Sequence, residues 1–551
     1  MEWHVGYWRT NCLAHGKPVT LLESAMNFKS ACTFLGSTFL ASLAFGCSSA
    51  PSDPAAAPAD DELSVVPLGK ADNYYSNVSA EFEVTGVVDV RFENADDASD
   101  ADLRKDKIDR RLTAVSLFLT TFMTNKLERF FTNLSYGGYG AMARNYTVAP
   151  EDVEEVEPGH LRVAFSIDVA GPRNMLSALP LLEDAPAGVV QFDLAMPAGF
   201  ESSPNEVPRG QIRNFDPATH VGDLEHVRCT IAREKMPQDA YPQIAPMIED
   251  GVLDVTLFFG HDYNDPRSDL QEADEAFYTL RSSMGFTAPV SSFADLKHDS
   301  GPFVRTVQAN GKDLRVEVRV FHSDMFVNDR KLGHDTALAE IVARDVFFYN
   351  GHAGPFYGFY LSDDKPNDVT YTEFATIGLP AKQQIFVAQG CQTYSQYADM
   401  LYANPAKSEV NLDVFTTVNF SYGVGTMQLL RNLLVVDAGG RLSVVTFGKM
   451  VRDLNAEYWN DMKEVFYGVH GIDGNPQVHP FAAQDKLGQR CESVADCGDS
   501  DGNVCVVPVN ADAKVCGAVA LEGASCPDGT MLYPLQASGT IQRYACLPTG
   551  G

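Results

Sequence analysis

The sequence predicts an α/β protein: a mostly parallel sheet flanked by helices, preceded by an α+β accessory domain and followed by a small disulfide-rich module. Three observations carry this prediction. Between about 250 and 470, continuous apolar runs bounded by turns alternate with amphipathic stretches, the signature of strands buried on both faces and joined by helices. From about 75 to 235 the pattern is mixed, with alternating runs and one long helical period. Six of the eleven cysteines crowd the last segment.

At 551 residues and 45% hydrophobic, the chain is long enough for several cores. Its formal charge of -31 leaves no field that would gather phosphate backbones or anionic lipid headgroups, so nucleic acid is excluded as a partner.

Taken in order, residues 1–25 read as a mis-called start ahead of a second start at Met26. Residues 26–47 carry Lys29, an apolar run to Phe45 and then Gly46 and Cys47, which resembles a bacterial lipoprotein signal with Cys47 as the lipidated residue. That implies an exported protein at the outer membrane or cell surface, touching the membrane only through an N-terminal lipid anchor. Residues 48–72 are rich in Pro, Ala and Asp and read as a flexible tether.

The accessory domain is expected over 73–245. Its stretch AEFEVTGVVDVRFE reads as a strand pair, RRLTAVSLFLTTFMTNKLERFF as a helix, and LRVAFSIDVAG and VVQFDLAM as strands. His220, His226 and Cys229 imitate a metal site, but they fall on an expected loop and read as incidental.

The central domain is expected over 246–480. VLDVTLFFG, DLRVEVRVFH, DVFFYNG, QQIFVAQG and LDVFTTVNF read as strands, and LQEADEAFYTLRSSMGF, TALAEIVAR and GTMQLLRNLLVV as helices. In such sheets ligands sit beyond the carboxyl ends of the strands. Two strands end there in reactive side chains: Gly351-His352-Ala353-Gly354 follows one, and Gln389-Gly390-Cys391-Gln392-Thr393 the other. A nucleophile and a base would share one edge.

Apolar strand, His, Gly, then apolar strand, small residue, Cys is the pattern of the caspase, gingipain, separase and legumain clan of cysteine peptidases, which these two strand ends resemble. The resemblance covers roughly 250 to 435, about a third of the chain. It implies a caspase-like fold and a peptide or protein substrate, with Cys391 as nucleophile and His352 as acid and base. The oxyanion would be held by the amides of Cys391 and of Ala353 or Gly354. Gln389 resembles the caspase glutamine that lines the primary specificity pocket. Asp262, in GHDYNDPRSD, would also bind substrate, there or at Asp265 favouring a basic side chain, whereas Arg267 would favour an acidic one. Ala353 departs from the glycine of the clan, and Gln392 and Thr393 do not continue the caspase signature. No cofactor or catalytic metal is required. A catalytically inactive, caspase-like surface lipoprotein that binds without cutting is the alternative, and an unrelated α/β fold is a further one.

In the tail, 488–551, the cysteines Cys491, Cys497, Cys505, Cys516, Cys526 and Cys546 read as three disulfides of undetermined pairing. GDSDGN offers Asp499, Asp501 and Asn503 at alternate positions, as a calcium loop begins, but no glutamate follows at the required distance. A turn between two disulfide cysteines accounts for the same residues.

Overall fold

The computed structural model describes Val65–Val66 and residues 72–549, apart from 131–141, 203–211, 213, 364, 422–424, 457–464, 499, 509–511 and 538–539. Cys47, the leader, almost all of the tether and Asp499 lie outside the described residues. The protein is mixed α/β, with several sheets.

Alternating apolar positions build an N-terminal antiparallel sheet from β1 (Ser79–Arg91), β2 (Met142–Thr147), β3 (Val153–Glu157), β4 (His160–Pro172), β5 (Gln191–Pro197) and β6 (Leu224–Glu234). The helix α1 (Ala101–Phe130) covers it with Leu112, Val115, Leu119, Met123 and Leu127, spaced as one helical stripe. β1 corrects the expected strand pair. It runs unbroken through Gly86, because the Phe165 ring of β4 lies over that position: a Cβ there would come within 2.7 Å of it. The glycine serves close packing rather than a turn. β6 corrects the expected loop around His226 and Cys229. His226 bonds Asp193, His220 lies against Phe215, and Cys229 is fully buried, so the three do not converge.

The central sheet contains β7 (Val252–Phe259), β8 (Phe303–Ala309), β9 (Lys312–His322), β10 (Val346–Asn350), β11 (Gln384–Gln389), β12 (Leu412–Thr417) and β13 (Tyr467–His470). Its order is β13-β12-β11-β10-β7-β9-β8. The inner pairs are parallel, and β8 and β13 close the two edges antiparallel.

Both faces of this sheet are covered. On β10, Val346 and Phe348 enter one core while Phe347 and Tyr349 enter the other, and on β11 Ile385 and Val387 oppose Phe386 and Ala388 in the same way. This explains why these strands read as continuous apolar runs. Each valine, isoleucine and phenylalanine among them contributes about 1.5–3 kcal/mol on burial. Helices α2 (Ser268–Tyr278), α5 (Thr426–Leu433) and α6 (Phe447–Ala456) cover the first face, and α3 (Arg330–Ala343) and α4 (Tyr397–Tyr402) the second.

The tail forms a four-stranded sheet of β14 (Asn503–Val506), β15 (Val515–Ala520), β16 (Thr530–Ala537) and β17 (Thr540–Pro548). Three disulfides, Cys491–Cys505, Cys497–Cys516 and Cys526–Cys546, staple it. They fit an extracellular or exported protein. Asp501 meets His479 at 3.2 Å, and the Asn503 side chain accepts from the Ala483 amide and donates to Ser500, so protein groups use both. No helix among the described residues is long and apolar enough to cross a membrane.

The described parts of the three sheets belong to one compact unit. Tyr75 bridges to Val469, Arg144 of β2 pairs with Asp399 of α4, and Val478 bridges to Ala520 of β15.

Candidate active site

The register of β10 against β11 sets Asn350 opposite Gln389, so the turns carrying His352 and Cys391 leave the sheet side by side. The Gly351 N–H donates to the Gln389 carbonyl at 3.2 Å, extending the ladder into the turn. The Tyr349 hydroxyl donates to the His352 carbonyl at 2.6 Å, and the Tyr360 N–H donates to the same oxygen at 3.1 Å. The histidine thus rests on a turn fixed from beneath.

Gly390 decides how closely the turns approach. A Cβ there would lie 2.4 Å from the Ala353 Cβ and 3.0 Å from the Gly351 carbonyl oxygen. The Ala353 side chain is therefore accommodated by the missing side chain of Gly390. Nor does the turn need glycine at 353: among the described non-glycine residues, positive φ occurs at Asn310, Phe356 and Gln392. Gln392, at φ 59°, directly follows Cys391.

The imidazole of His352 is held on two sides. Its Nε2 lies 3.0 Å from Asp262 Oδ1, and its ring stacks on Tyr263 with centroids 4.2 Å apart and planes 8° apart. Asp262 follows the carboxyl end of β7, the strand adjacent to β10. Its Oδ2 accepts from the Ser268 N–H at 3.0 Å and the Ser268 hydroxyl at 2.6 Å. Burial alone would raise the carboxyl pKa, but these bonds, the Asn264 amide and His352 outweigh it and hold Asp262 well below the usual carboxylate range. It is an anion anchored to His352 rather than a side chain open to a substrate. Asp265 is exposed, and Arg267 is engaged by Asp269, Ser323 and Asp324, so neither points to a selective pocket.

Cys391 is one of two free cysteines among the described residues and is partly accessible, whereas Cys229 is buried. Its Sγ donates to the Ser421 carbonyl at 3.8 Å. Burial pushes the thiol up to about 11, only partly opposed by that bond. The resting group is therefore a thiol, not a thiolate paired with the imidazole.

The amides sort themselves as well. The Gly354 N–H is directed at the Tyr397 hydroxyl, at 3.4 Å. The N–H groups of Ala353 and Cys391 donate to no described residue, and they flank the Gly390 turn. Gln389 is buried, donating to the Tyr467 hydroxyl at 3.1 Å and accepting from Thr426 at 2.5 Å.

No family model, no curated protein and no solved structure matches this chain. The functional reading therefore rests on geometry and chemistry. Sequence reasoning missed Tyr263. Tyr263 is 68% exposed yet stacked on the histidine, and a tyrosine right after Asp262 was the available signal.

Proposed function

We propose that this protein is a cysteine endopeptidase of the caspase-like clan, exported and anchored to the bacterial envelope through Cys47. The observation that carries the reading is the parallel register of Asn350 with Gln389, which sets a histidine fixed by a carboxylate beside a partly accessible cysteine. The strand order, with parallel inner strands and an antiparallel strand at each edge, is compatible with a caspase-like sheet.

In this reading the Cys391 sulfur attacks the scissile carbonyl carbon as its proton leaves by way of His352. The amides of Cys391 and Ala353 receive the oxyanion. His352 then delivers the proton to the departing amine as the C–N bond breaks and a thioester forms. Water deprotonated by His352 hydrolyses the thioester and restores the thiol. Asp262 orients the imidazole and stabilises its charged form, as a carboxylate does in other catalytic triads.

The alternative, a surface protein that binds with the same cleft and does not cut, draws on the lack of a hydrogen bond between Cys391 and His352. An acyloxymethyl ketone peptide separates the two. The peptidase should be modified at Cys391, with loss of modification in His352→Ala and of proteolysis in Cys391→Ala. A folded protein that neither reacts nor cleaves any peptide of a diverse library would be the binding protein.

A further inference from the structure

We propose that Arg144, on the N-terminal sheet, is a positioning residue for Cys391, acting through Tyr394 and Asp399 on the segment that ties the cysteine turn to the histidine turn. The inference rests on the peptidase reading and adds to it a working part outside the central sheet.

The segment 392–399 straddles two cores. Tyr394, three residues after Cys391, is fully buried in the core of the N-terminal sheet, whereas Tyr397 is buried in the core on the second face of the central sheet. Between them Gln396 accepts from the Phe356 N–H at 3.0 Å, and the Tyr397 hydroxyl donates to the Gly358 carbonyl at 2.7 Å. Those bonds fix the loop that leaves His352. Nearer the cysteine, the Gln392 N–H donates to the Asn419 carbonyl and the Tyr394 N–H to the Thr417 carbonyl, each at 3.0 Å. A shift of this segment therefore moves the sulfur relative to the imidazole.

The charges that hold the segment come from the N-terminal sheet. Arg144 of β2 is only 4% exposed and meets three carboxylates: Asp399 in the first turn of α4, Asp72 at 2.5 Å and Glu81 of β1 at 3.3 Å. Its guanidinium also lies over the Tyr394 ring, 5.6 Å from the centroid, and Glu81 accepts from the Tyr394 hydroxyl. One buried cation thus grips the segment at Tyr394 and at Asp399. Tyr74 closes the contact edge-on to Tyr394 at 5.2 Å, lying so near Gly468 that a Cβ there would come within 2.1 Å of its ring.

A buried ion cluster is a poor source of stability, because desolvation offsets much of its attraction, and its best-attested use is to fix register. Here the register fixed is that of the chain directly behind the nucleophile. The planar guanidinium serves several oxygens in set directions, which a lysine ammonium at the same place does not reproduce. Arg111 is the contrast: it is as deeply buried, but its partners, Glu225 and the carbonyls of Asp89 and Phe200, all belong to the N-terminal region.

The test compares Arg144→Lys and Tyr394→Phe with Arg111→Lys as the control for a buried arginine. On a cleaved peptide the first two should each lower kcat about 10-fold with KM nearly unchanged, and Arg111→Lys should keep wild-type kcat per folded molecule. An acyloxymethyl ketone peptide, which needs sulfur and imidazole together, should modify Cys391 more slowly by the same factor. Iodoacetamide, which needs the sulfur alone, should react at least as fast as with the wild type. A parallel fall with both reagents, an equal loss in Arg111→Lys, or wild-type kcat in Tyr394→Phe would overturn the proposal and leave the peptidase. Melting temperature identifies a variant that fails to fold. Tyr394→Phe, which loses one hydroxyl and keeps its ring, decides the matter should Arg144→Lys not fold. Wild-type protein inert to the ketone and to every peptide would instead sink the peptidase reading. The iodoacetamide rates alone would then judge the positioning of Cys391: altered in Arg144→Lys and Tyr394→Phe and unchanged in Arg111→Lys upholds it, and any other pattern refutes it.

Discussion

Asp262 and His352, 90 residues apart in sequence, meet at 3.0 Å between Oδ1 and Nε2, and the aspartate is fixed in turn by the backbone and hydroxyl of Ser268. A carboxylate so placed sets which imidazole nitrogen carries the proton, and leaves Nδ1 for the reacting groups. Asp262→Asn is expected to lower kcat roughly 10- to 1000-fold with little change in KM, because it alters the histidine and not substrate contact. The hydrogen-bonded carboxylate has a depressed pKa, so its contribution to stability is present above the unfolded value and is lost as pH falls through the folded one. Denaturation of the variant and wild type should therefore differ most at neutral pH and converge in acid, below about pH 4. An equal kcat would remove Asp262 from the machinery.

Burial pushes the Cys391 thiol up to about 11, and its hydrogen bond runs to a carbonyl rather than to an imidazole. The rate of alkylation by iodoacetamide should thus climb steadily from pH 7 towards pH 10. A plateau below pH 8 would mean that His352 already holds a thiolate in the free protein, and the order of proton transfers proposed above would have to be reversed.

Gly390 and Ala353 are coupled by contact, since a Cβ on the first would meet the Cβ of the second at 2.4 Å. Gly390→Ala should lower stability by about 1–3 kcal/mol and abolish labelling of Cys391, as overpacking at a close contact does. Adding Ala353→Gly to that variant should recover part of the loss, the remainder coming from the Gly351 carbonyl at 3.0 Å. Independent, additive effects in a double-mutant cycle would show that the turns are not in contact.

Much of the site was legible because strands buried on both faces advertise themselves as unbroken apolar runs. VFFYN and IFVAQ end abruptly in glycines, which is where His352 and Cys391 follow. The edge strand β8 was less legible: FVRTVQA alternates imperfectly beside the more regular alternation of its partner β9. β13 is four residues long, too short for a periodicity to register. Gly86 misled because glycine within an apolar alternation signals either a turn or a close packing partner, and the Phe165 ring that decides between them lies 79 residues away. The carboxylates of GHDYNDPRSD could not be ranked from sequence, since inward direction depends on which of them Ser268 and His352 capture. The raised pKa of Glu272 was invisible for a similar reason: on a helix face it is an ordinary glutamate, and its burial and its bond from Asn350, 78 residues away, appear only in the fold.

Glu272 leaves a signature in the folding equilibrium. Its pKa is displaced from the ordinary 4.5 up to about 8, so the folded state binds this proton more tightly than the unfolded chain. The associated stability is fully present below about pH 4.5 and is lost as pH rises through about 8, at up to about 1.4 kcal/mol for each pH unit crossed. Glu272→Gln keeps the shape and removes the titration. The urea midpoint of the variant relative to wild type should accordingly rise between pH 5 and pH 8 and level off above. A difference between the two proteins that stays constant with pH would mean that Glu272 is solvated as an ordinary surface carboxylate.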